Sequence, residues 1–448
     1  MVVLKFGGTS VADRAAMLRL VQIVRATPNP QVVVVSALGG ATDRLLGIAA
    51  QAGAGDADGA AVSVQQLADR HFEVAGVITD SALRAEVEGF LTREFDQLRR
   101  IVDALSVLRE VSPRWLDAIA AAGEVCSSRI VAAALTSEGV GATWVDARRV
   151  MVTTDAFTAA PPLMEETTRQ AQAHILPVVQ AGRVPVIGGF VGATTLGVTT
   201  TLGRGGSDYS AAICGACLDA SEIQIWTDVD GMLTADPRLV PGARLVPQLS
   251  FAEASELSYF GAKVLHPSTI LPAVDKNIPV RILNARNAGA QGTMITASRP
   301  RTGQPLTAFA SKRRVTVIDI ASTRMLMAHG FLHRLFGVFE KHATSVDVVT
   351  TSEVSVSVTV DDVRRLPAVM ADLSAFADVT REDDMAVLCA VGEGIAGDTT
   401  VLGRLLQALG PVPIRMLSQA AERRNITLVI PDTELPAALA RVHEAFFS

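Results

Sequence analysis

The chain has 448 residues, of which 49% are hydrophobic and 19% charged, and its formal net charge is −6. This length is sufficient for two or three domains, each with its own core. The 40 Lys and Arg residues are scattered and outnumbered by 46 acids, and no continuous apolar run reaches the roughly 18 residues of a membrane-spanning helix. We therefore expect neither a nucleic-acid nor a membrane partner. Lys5 interrupts the first apolar stretch, which then lacks the core of a signal peptide, so we expect a soluble, cytoplasmic protein.

The first two thirds of the chain alternate short β-rich runs with long helical patterns. Five such runs occupy residues 2–6, 31–37, 184–190, 222–226 and 279–283. Continuous apolar strands separated by helices are typical of a largely parallel sheet that is covered on both faces. The sequence therefore predicts an α/β fold in which a mainly parallel sheet is sandwiched by helices.

A long helical region lies between the second and third of these runs. Its apolar residues recur at spacings of three and four, which gives one apolar face: Leu83, Val87, Phe90, Leu91, Phe95, Leu98, Val102 and Leu105. The segment AGAGDADGAA (52–61) before it has low complexity, and we expect a surface loop there.

The composition changes after ASRPRTGQP (297–305), a segment rich in Pro, Gly and Arg. Beyond it, strand and helix patterns occur in two similar series, over 313–362 and over 385–447. We expect two small α+β units that bind regulators, and the last strand either stays in the second unit or returns to the first. The predicted limits are 1–296 for the catalytic domain, 297–312 for the linker, 313–384 for the first unit and 385–448 for the second.

The opening LKFGGTSVAD (4–13) combines a lysine, glycines and hydroxyls where a strand meets a helix. Gly7 and Gly8 allow the backbone to approach a ligand closely, and Thr9 and Ser10 offer hydroxyls at the start of a helix. This arrangement suits a phosphate chain, although Lys5 precedes the glycines and the spacing of a Walker A loop is absent. An ordinary strand-to-helix turn with a solvated lysine is the alternative.

The segment VTTTLGRGGSDYSAA (198–212) repeats this theme, with Arg204 inside a glycine-rich turn. An arginine is suited to bidentate recognition of a carboxylate, and the start of a helix favours anions. Asp208 cannot bind phosphate directly, so we expect it to orient a lysine ammonium or to approach a phosphate-bound Mg²⁺. A capped helix with an exposed arginine is the alternative, which leaves the glycines unexplained.

Two further polar sites interrupt apolar sequence. Thr227 and Asp228 follow the fourth β-rich run, and ligands of α/β proteins bind where such strands end. Glu124 lies in a long apolar helix, where a carboxylate is costly to bury unless it is paired, so we expect an ammonium partner. A plain turn and a helix-surface glutamate are the alternatives.

Two motifs are rejected. GEGIAG (392–397) matches the dinucleotide pattern GxGxxG, but too few residues follow it and the next strand has no ribose-binding acid. Cys214 and Cys217 form a CxxC without a second pair or a nearby histidine, so we expect buried packing instead of zinc or redox chemistry.

Six segments resemble the aspartate kinases, in the same order along the chain: KFGGTSVAD, VVVVSALGGATDRL, GEVCSSRIVAAAL, GFVGATTLGVTTTLGRGGSDYSAA, WTDVDGMLTADPR and SYFGAKVLHPSTILPA. The tail resembles the paired ACT regulatory units of that family, and the likeness covers nearly the whole chain. It implies an amino-acid kinase fold and, with ATP and Mg²⁺, conversion of L-aspartate to 4-phospho-L-aspartate, the first step towards lysine and other aspartate-derived amino acids. It also implies a homodimer or homotetramer formed through the ACT units.

The resemblance assigns residues to sites. Lys5 and Asp208 would be catalytic, with Asp208 aiming Lys5. Arg204 would bind the α-carboxylate of aspartate and Glu124 its α-ammonium, within the set Ser36, Thr42, Glu124, Phe190, Arg204 and Ser207. The nucleotide-binding set would be Lys5, Phe6, Gly7, Gly8, Thr227, Asp228, Leu233, Arg238 and Lys263. Relatives can place an aromatic residue at the position of Leu233.

The residue types agree with this chemistry. The attacking carboxylate of aspartate is already ionised at neutral pH, so no general base is required. The transition state needs charge neutralisation and in-line geometry, which Lys5, backbone N–H groups, Mg²⁺ and Lys263 can supply. The sequence assigns no protein ligand to Mg²⁺.

The first regulatory unit resembles the lysine-inhibited class of the family. Its effector site would be formed by Met325, Ala328, Phe331, Leu332, Val346, Asp347, Ser352 and Glu353. Asp347 and Glu353 are suited to the two ammonium groups of lysine, and Ala328 replaces the serine expected at that position. Two solvated loop ends are the alternative for these acids.

Two other functions compete with a lysine-regulated aspartate kinase. A kinase of the same fold acting on another carboxylate, such as N-acetylglutamate, is disfavoured by Glu124, because an acylated amine carries no charge. A catalytically silent amino-acid sensor would tolerate the loss of Lys5 and Asp208, yet both are present.

Overall fold

The computed structural model describes residues 1–28, 30–261, 265, 267–298, 305–322, 329–419 and 424–448. Their contacts define two compact units, one of Met1–Met232 with Leu265–Ala297 and one of Leu233–Val264 with Ser298–Ser448. The predicted end of the catalytic domain at residue 296 coincides closely with a unit boundary, whereas 233–264 groups with the second unit. Compactness does not establish independent folding, so the predicted domain limits remain predictions.

Strands and helices are numbered in chain order. The strands are β1 (Val2–Phe6), β2 (Gln31–Val35), β3 (Ala142–Val145), β4 (Val152–Thr153), β5 (Val184–Gly188), β6 (Val191–Thr194), β7 (Thr199–Thr201), β8 (Glu222–Thr227), β9 (Gln248–Ser250), β10 (Val280–Asn284), β11 (Thr293–Thr296), β12 (Ala308–Ala321), β13 (Val349–Thr351), β14 (Ser355–Val360), β15 (Asp378–Val391), β16 (Met416–Gln419) and β17 (Asn425–Pro431). The α-helices are α1 (Arg14–Ala26), α2 (Ala41–Gly53), α3 (Ala57–Ala75), α4 (Ser81–Leu108), α5 (Pro113–Ser137), α6 (Met164–His174), α7 (Leu176–Gln180), α8 (Gly206–Cys217), α9 (Phe251–Tyr259), α10 (Leu271–Asp275), α11 (Phe331–Lys341), α12 (Leu366–Ser374), α13 (Thr399–Leu409) and α14 (Leu435–Phe447).

Seven strands of the first unit are hydrogen-bonded in the order β3-β5-β2-β1-β8-β10-β11. The first six are parallel, and β11 pairs antiparallel with β10. The five predicted strands are confirmed as β1, β2, β5, β8 and β10, which are neighbours in this sheet. Both faces of β2 are covered, because successive residues Val32 to Val35 are all fully buried. A parallel sheet brings the carboxyl ends of these strands to one edge.

The helices of the first unit confirm one prediction and contradict another. The apolar face predicted over 83–105 belongs to α4, and most of its residues are buried. The surface loop predicted over 52–61 is wrong: α2 continues to Gly53, and α3 begins after Asp56, which accepts a hydrogen bond from the Gly59 N–H at 3.0 Å. Ala52 and Ala60 are fully buried, so the small residues of this segment serve close helix packing.

The helix α5 is the long apolar element of the first core. Among the described residues it is the one helix that is long and apolar enough to cross a membrane, with a mean hydropathy of 1.5, but 83% of that stretch is buried inside the protein. Asp117 and Glu124 interrupt its apolar sequence. A helix that is apolar on most sides must be covered, and contacts with α2, α4, β3 and β5 cover this one. It also contacts β7, part of a small sheet with the order β4-β6-β7.

The second unit contains one antiparallel sheet with the order β13-β14-β12-β15-β17-β16. The strands β12 and β15 pair from Ala308 opposite Val391 to Ala321 opposite Asp378, so the two predicted α+β series share a single sheet. One apolar cluster includes α11 and α12, and another includes α13 and α14. The two predicted series of strands and helices are confirmed, and α12 lies between them, where no sequence pattern predicts a helix.

Candidate active site

At the carboxyl edge of the parallel sheet, β1 is followed by a turn that contains two glycines, Gly7 and Gly8. The N–H of Gly7 donates to the carbonyl of Trp226 at 3.1 Å, and the N–H of Ser36, which follows β2, donates to the last residue of β1 at 3.0 Å. A Cβ added at Gly8 would lie 3.2 Å from the carbonyl oxygen of Ala37. The loops after β1 and β2 approach each other this closely only because residue 8 is a glycine.

A largely buried ion pair joins β1 to the first turn of α8. The Nζ atom of Lys5 lies 2.7 Å from Oδ1 of Asp208, and the two side chains are 9% and 15% exposed. A Cβ added at Gly7 would lie 3.6 Å from this Nζ atom, so the ammonium is adjacent to the glycine turn. Burying such a pair has a desolvation cost, and its geometry holds the ammonium in one direction. The two residues predicted to be catalytic are therefore in contact, while their roles remain predictions.

A cavity of about 580 Å³ opens at the same edge. Its volume is in the range of small-molecule sites. The residues predicted to bind aspartate all line it: Ser36, Thr42, Glu124, Phe190, Arg204 and Ser207. Gly8 of the glycine turn lines it as well. The structure thus collects the predicted aspartate-binding set around one space.

Glu124 is a buried acid with one unused oxygen. It is 4% exposed, and its Oε2 atom has no hydrogen-bond partner among the described residues. Burial raises the pKa of Glu124 to about 8, and this rise is opposed by the Ala37 N–H and, more weakly, by the Lys5 ammonium. An unpaired carboxylate facing a cavity favours a cationic ligand.

Arg204 is the cationic side chain that lines the cavity. It lies in a turn in which Gly203 and Gly205 have positive φ angles of 80° and 71°, a conformation that glycine adopts without strain. The side chain is exposed and makes no ion pair or hydrogen bond within the described part of the chain. Its guanidinium is therefore available to an anionic ligand.

Hydrogen bonds connect the other cavity residues to α8. The Ser36 hydroxyl donates to the Ser207 hydroxyl at 2.8 Å. Phe190 has a positive φ of 63°, and its N–H donates to the Ser210 hydroxyl at 2.8 Å. A Cβ added at Gly206 would lie 2.6 Å from the Phe190 ring, so the ring rests directly on the backbone at the start of α8.

Asp117 is a cavity residue that sequence reasoning missed. It is 1% exposed and accepts hydrogen bonds from the Thr158 N–H at 2.9 Å, the Thr201 N–H at 3.0 Å and the Thr201 hydroxyl at 2.6 Å. It precedes Glu124 by two helical turns on the same face of α5. That spacing of two acids in an apolar helix is the signal that could have identified it.

Besides Lys5 and Gly8, four residues predicted to bind the nucleotide lie near one another in the first unit: Phe6, Gly7, Thr227 and Asp228. Phe6 is fully buried and stacks on Trp226 with ring centroids 6.2 Å apart, so its side chain supports the turn and is closed to a ligand. Thr227 ends β8, next to β1, and its hydroxyl donates to Asp228 at 3.3 Å. Gly7 is hydrogen-bonded to the residue before Thr227.

The remaining residues of the predicted nucleotide set lie elsewhere. Leu233 and Arg238 belong to the second unit, where Arg238 is highly exposed and pairs with Asp236 at 2.7 Å. Lys263 lies outside the described residues.

Cys214 and Cys217 are buried thiols in α8, and burial raises the pKa of both, which agrees with a packing role. In the part of the chain that the structure describes, no group of three or more His, Cys, Asp or Glu side chains could hold a metal ion.

Comparison with known proteins identifies the family. The amino acid kinase family matches residues 1–284, and an ACT domain matches residues 388–446. Lysine-sensitive aspartokinase 3 of Escherichia coli (strain K12) is 34% identical over 100% of this chain and 99% of that protein. The chain belongs to the aspartokinases. Aspartokinase 1, chloroplastic, of Arabidopsis thaliana is 37% identical over 99% of this chain and 80% of that protein.

Solved aspartokinase structures have the same fold. Escherichia coli aspartokinase III, in complex with lysine and aspartate (T-state), superposes with a TM-score of 0.86, and its complex with aspartate and ADP (R-state) gives 0.85. Both are 34% identical and cover 100% of each chain. The predicted family, fold class and enzyme class, an aspartate kinase, are confirmed, and the ADP complex supports the use of ATP. The cytoplasmic location stays a prediction, since plant aspartokinases are named chloroplastic.

The described residues of the predicted effector site of this aspartokinase lie in three segments of the second unit. Phe331 and Leu332 begin α11, Val346 and Asp347 precede β13, and Ser352 and Glu353 lie between β13 and β14. Met325 and Ala328 lie outside the described residues.

The two acids of this set have different surroundings. The Asp347 side chain is 3% exposed and pairs with Lys312 at 2.8 Å, while the Tyr259 hydroxyl donates to its other oxygen at 3.1 Å. Glu353 is exposed, with no partner in the described ranges. The alternative of two solvated loop ends is thus wrong for Asp347, and an effector ammonium would compete there with Lys312.

The close approach of Gly189 to α8 predicts the effect of one methyl group. A Cβ at this position would lie 2.7 Å from both Cα and Cβ of Ser207. Gly189→Ala therefore forces residue 189 and the first turn of α8 apart, and we expect it to lower the free energy of unfolding by about 1–3 kcal/mol. The KM for aspartate should rise as well, because Ser207 lines the cavity. Urea unfolding and steady-state kinetics measure both.

Gly47→Ala in α2 is the matched control, since a Cβ there meets no atom within 4 Å. It should leave stability unchanged or raise it by about 0.5–1 kcal/mol through helix propensity. Equal stability of the two variants would contradict the proposed clash.

Proposed function

We propose that the chain transfers the terminal phosphoryl group of ATP to the side-chain carboxylate of L-aspartate, which yields ADP and 4-phospho-L-aspartate. One observation carries this proposal: an unpaired cation, Arg204, and an unpaired buried acid, Glu124, line a single cavity. An α-amino acid offers a carboxylate to the first group and an ammonium to the second. Aspartate then has a second carboxylate left for the chemistry.

The charges of the site favour aspartate in one orientation. Arg204 binds the α-carboxylate bidentately, and Glu124 accepts hydrogen bonds from the α-ammonium. The hydroxyls of Ser36, Thr42 and Ser207 bind the remaining polar atoms, and the bond between Ser36 and Ser207 keeps two of them in place. The side-chain carboxylate then lies towards the glycine turn and Lys5.

The reaction needs positive charge and no general base. A carboxylate with a pKa of about 3.9 is ionised at neutral pH and attacks phosphorus directly. Attack brings two anions together, so the Lys5 ammonium, held by Asp208 at 2.7 Å, neutralises charge on the transferring phosphoryl group. The N–H of Gly8 in the adjacent turn adds a further dipole for the phosphates.

Mg²⁺ fits this site as a companion of ATP. When bound, Mg²⁺ neutralises phosphate charge, and it is usually held by the phosphates, waters and one or two carboxylates. The described residues contain no cluster of three acids or histidines for a metal, which is compatible with such shared binding. Asp208 and Asp228, both at this edge, could each supply a carboxylate.

The nucleotide would bind at the carboxyl ends of β1 and β8. Gly8 provides a backbone N–H group, Gly7 allows the backbone to approach closely, and Thr227 at the end of β8 and Asp228 after it provide polar side chains. Parallel sheets bind ligands at this edge. The parts assigned to Leu233, Arg238 and Lys263 remain predictions.

The alternative functions explain the cavity less well. An N-acetylated substrate has no ammonium, which would leave the Glu124 carboxylate unpaired in a buried position. An amino-acid sensor does not require a lysine held against an aspartate beside a glycine turn.

We further propose that lysine inhibits the enzyme through the residues around the turn between β13 and β14. The relative from Escherichia coli is named lysine-sensitive, and its aspartokinase III has been solved with lysine and aspartate. Glu353 offers a free carboxylate to one ammonium group of lysine. Asp347 would receive the other ammonium at the expense of its bond to Lys312.

We propose a homodimer or homotetramer formed through the ACT units. The strands β13 and β16 are the edges of the sheet of the second unit, and an unpaired edge invites pairing with another chain. Val349 on β13 and Leu417 on β16 are exposed apolar residues, 37% and 38% accessible.

Replacement of Lys5 should stop the chemistry and spare aspartate binding. Lys5→Ala removes the ammonium that neutralises the phosphoryl group, so kcat should fall by at least about 1,000-fold. The dissociation constant for aspartate should stay within about threefold, because Arg204 and Glu124 remain. A coupled ADP-release assay and calorimetry measure the two quantities. Lys276→Ala, which removes an exposed lysine paired with Asp219, is the control. Near-normal turnover of the Lys5 variant would overturn the assigned role.

The raised pKa of Glu124 predicts how aspartate binding depends on pH. With a pKa of about 8, this carboxyl is mostly protonated in the free enzyme at pH 7, whereas a bound ammonium requires the ionised form. Binding therefore releases a proton, and kcat/KM for aspartate should rise about tenfold per pH unit below pH 8 and level off above it.

Two measurements test this dependence. Calorimetry at pH 7 in buffers of different ionisation enthalpy should detect the released proton. The variant Glu124→Gln should bind aspartate more weakly, release no proton and lose the pH slope. Proton uptake, or an unchanged slope in the variant, would contradict the assignment.

Replacement of Glu353 should relieve inhibition by lysine. A charge-assisted hydrogen bond contributes about 1.5–3 kcal/mol, so Glu353→Ala should raise the half-inhibitory lysine concentration about 10- to 100-fold. The uninhibited rate should be unchanged. Glu340→Ala, which removes an exposed acid on α11, is the control. Equal lysine sensitivity of all three proteins would reject this effector site.

A further inference from the structure

Asp117 holds two segments of the cavity wall together. Its Oδ2 atom accepts hydrogen bonds from the N–H groups of Thr158 and Thr201, and its Oδ1 atom accepts the Thr201 hydroxyl. Thr158 has a positive φ of 72°, which is strained for a residue with a branched Cβ and needs a fixed partner. The N–H of Ala160 donates in turn to the carbonyl of Thr201 at 2.9 Å.

Thr158 and Thr201, the two residues clamped by Asp117, lie next to the turn of Arg204. Thr201 is the last residue of β7, three positions before Arg204. A Cβ added at Gly203 would lie 3.2 Å from the Ala159 side chain and 3.3 Å from the Thr158 carbonyl, so the turn rests on the second clamped segment. The N–H of Gly206 donates to Gly203 at 3.0 Å and closes the turn onto α8.

The position of Asp117 requires a side chain that accepts hydrogen bonds and donates none. The three donors that surround Asp117 are two backbone N–H groups and one hydroxyl, and an ionised carboxylate accepts from all three. Because these bonds already occupy both oxygens and the side chain is 1% exposed, Asp117 is a poor ligand for the ammonium of a substrate. Glu124, two turns further along α5, has the unused oxygen.

We infer that Asp117 is a positioning residue, which sets the affinity for aspartate by holding the turn that aims Arg204 at the α-carboxylate. This inference rests on the proposed function. The residue acts through Thr201 and the glycine-rich turn. Its effect is therefore confined to substrates that carry an α-carboxylate.

The test compares two substrates and two variants at the same position. β-Alanine is aspartate without its α-carboxylate, so it retains the reacting carboxylate and the ammonium but gives Arg204 nothing to bind. In Asp117→Ala, KM for aspartate should rise at least about 20-fold, with kcat changed less than about threefold and KM for ATP unchanged. The value of kcat/KM for β-alanine should be the same as in the wild-type chain.

Asp117→Asn is the conservative variant. Its amide oxygen can accept both backbone N–H groups, and its amide nitrogen can donate to the Thr201 hydroxyl, so aspartate KM should return to within about threefold of wild type. Thr201→Val removes one donor from the opposite side of the clamp and should raise aspartate KM by a smaller factor. Asp155→Ala, which removes an exposed acid in the same loop, is the control.

The outcomes separate this inference from the proposed function. Equal losses of kcat/KM for aspartate and β-alanine in Asp117→Ala and Thr201→Val would overturn the positioning role in favour of general support of the fold. Unchanged aspartate KM in both variants would overturn it as well. If Asp117→Ala does not fold, the same comparison is decided by Thr201→Val. A wild-type chain that neither binds aspartate in calorimetry nor releases ADP with it would reject the proposed function, and the inference with it.

Discussion

The ion pair between Lys5 and Asp208 is the interaction on which the rest of the site depends. Phosphoryl transfer to a carboxylate brings anions together, so a cation has to be held where they meet. A lysine has a flexible stem, and here a buried strand holds the stem while the first turn of α8 holds the ammonium. The same turn carries Ser207 and follows the loop of Arg204. In the proposed function, one short helical segment therefore connects the phosphoryl side of the site to the amino-acid side.

The cavity is arranged so that its charges are completed by the ligand. Arg204 is exposed to solvent, and burial raises the pKa of Glu124, whose Oε2 atom has no hydrogen-bond partner among the described residues. Neither group forms an ion pair within the described residues. In the proposed function both gain a partner when an amino acid enters, so interaction energy that is absent from the empty site becomes available on binding. Asp117 contributes differently, since its bonds exist before the ligand arrives.

The sequence predicted the sheet and most of the cavity, and its failures have physical causes. Continuous apolar runs identify β1, β2, β5, β8 and β10, and the glycine-rich segments around Gly8 and Arg204 line the cavity. The loop predicted at 52–61 fails because alanines and glycines mark close helix packing as well as turns. The hydrogen-bond partners of Asp117 and the pairing of Asp347 with Lys312 were not predicted, because they join residues far apart in the chain. Sequence patterns record local periodicity and carry no such partners.

The shared sheet of the second unit limits where the chain can be divided. The first half of β15 pairs with residues 315–321 of β12, and its second half pairs with Ala308–Lys312. A fragment that stopped at residue 384 would expose the backbone of Ala308–Lys312 and lose β17 altogether. Exposed strand edges recruit other chains, so such a fragment would be prone to aggregate. Any truncation intended for binding studies therefore has to retain both halves of β15 and the strand β17.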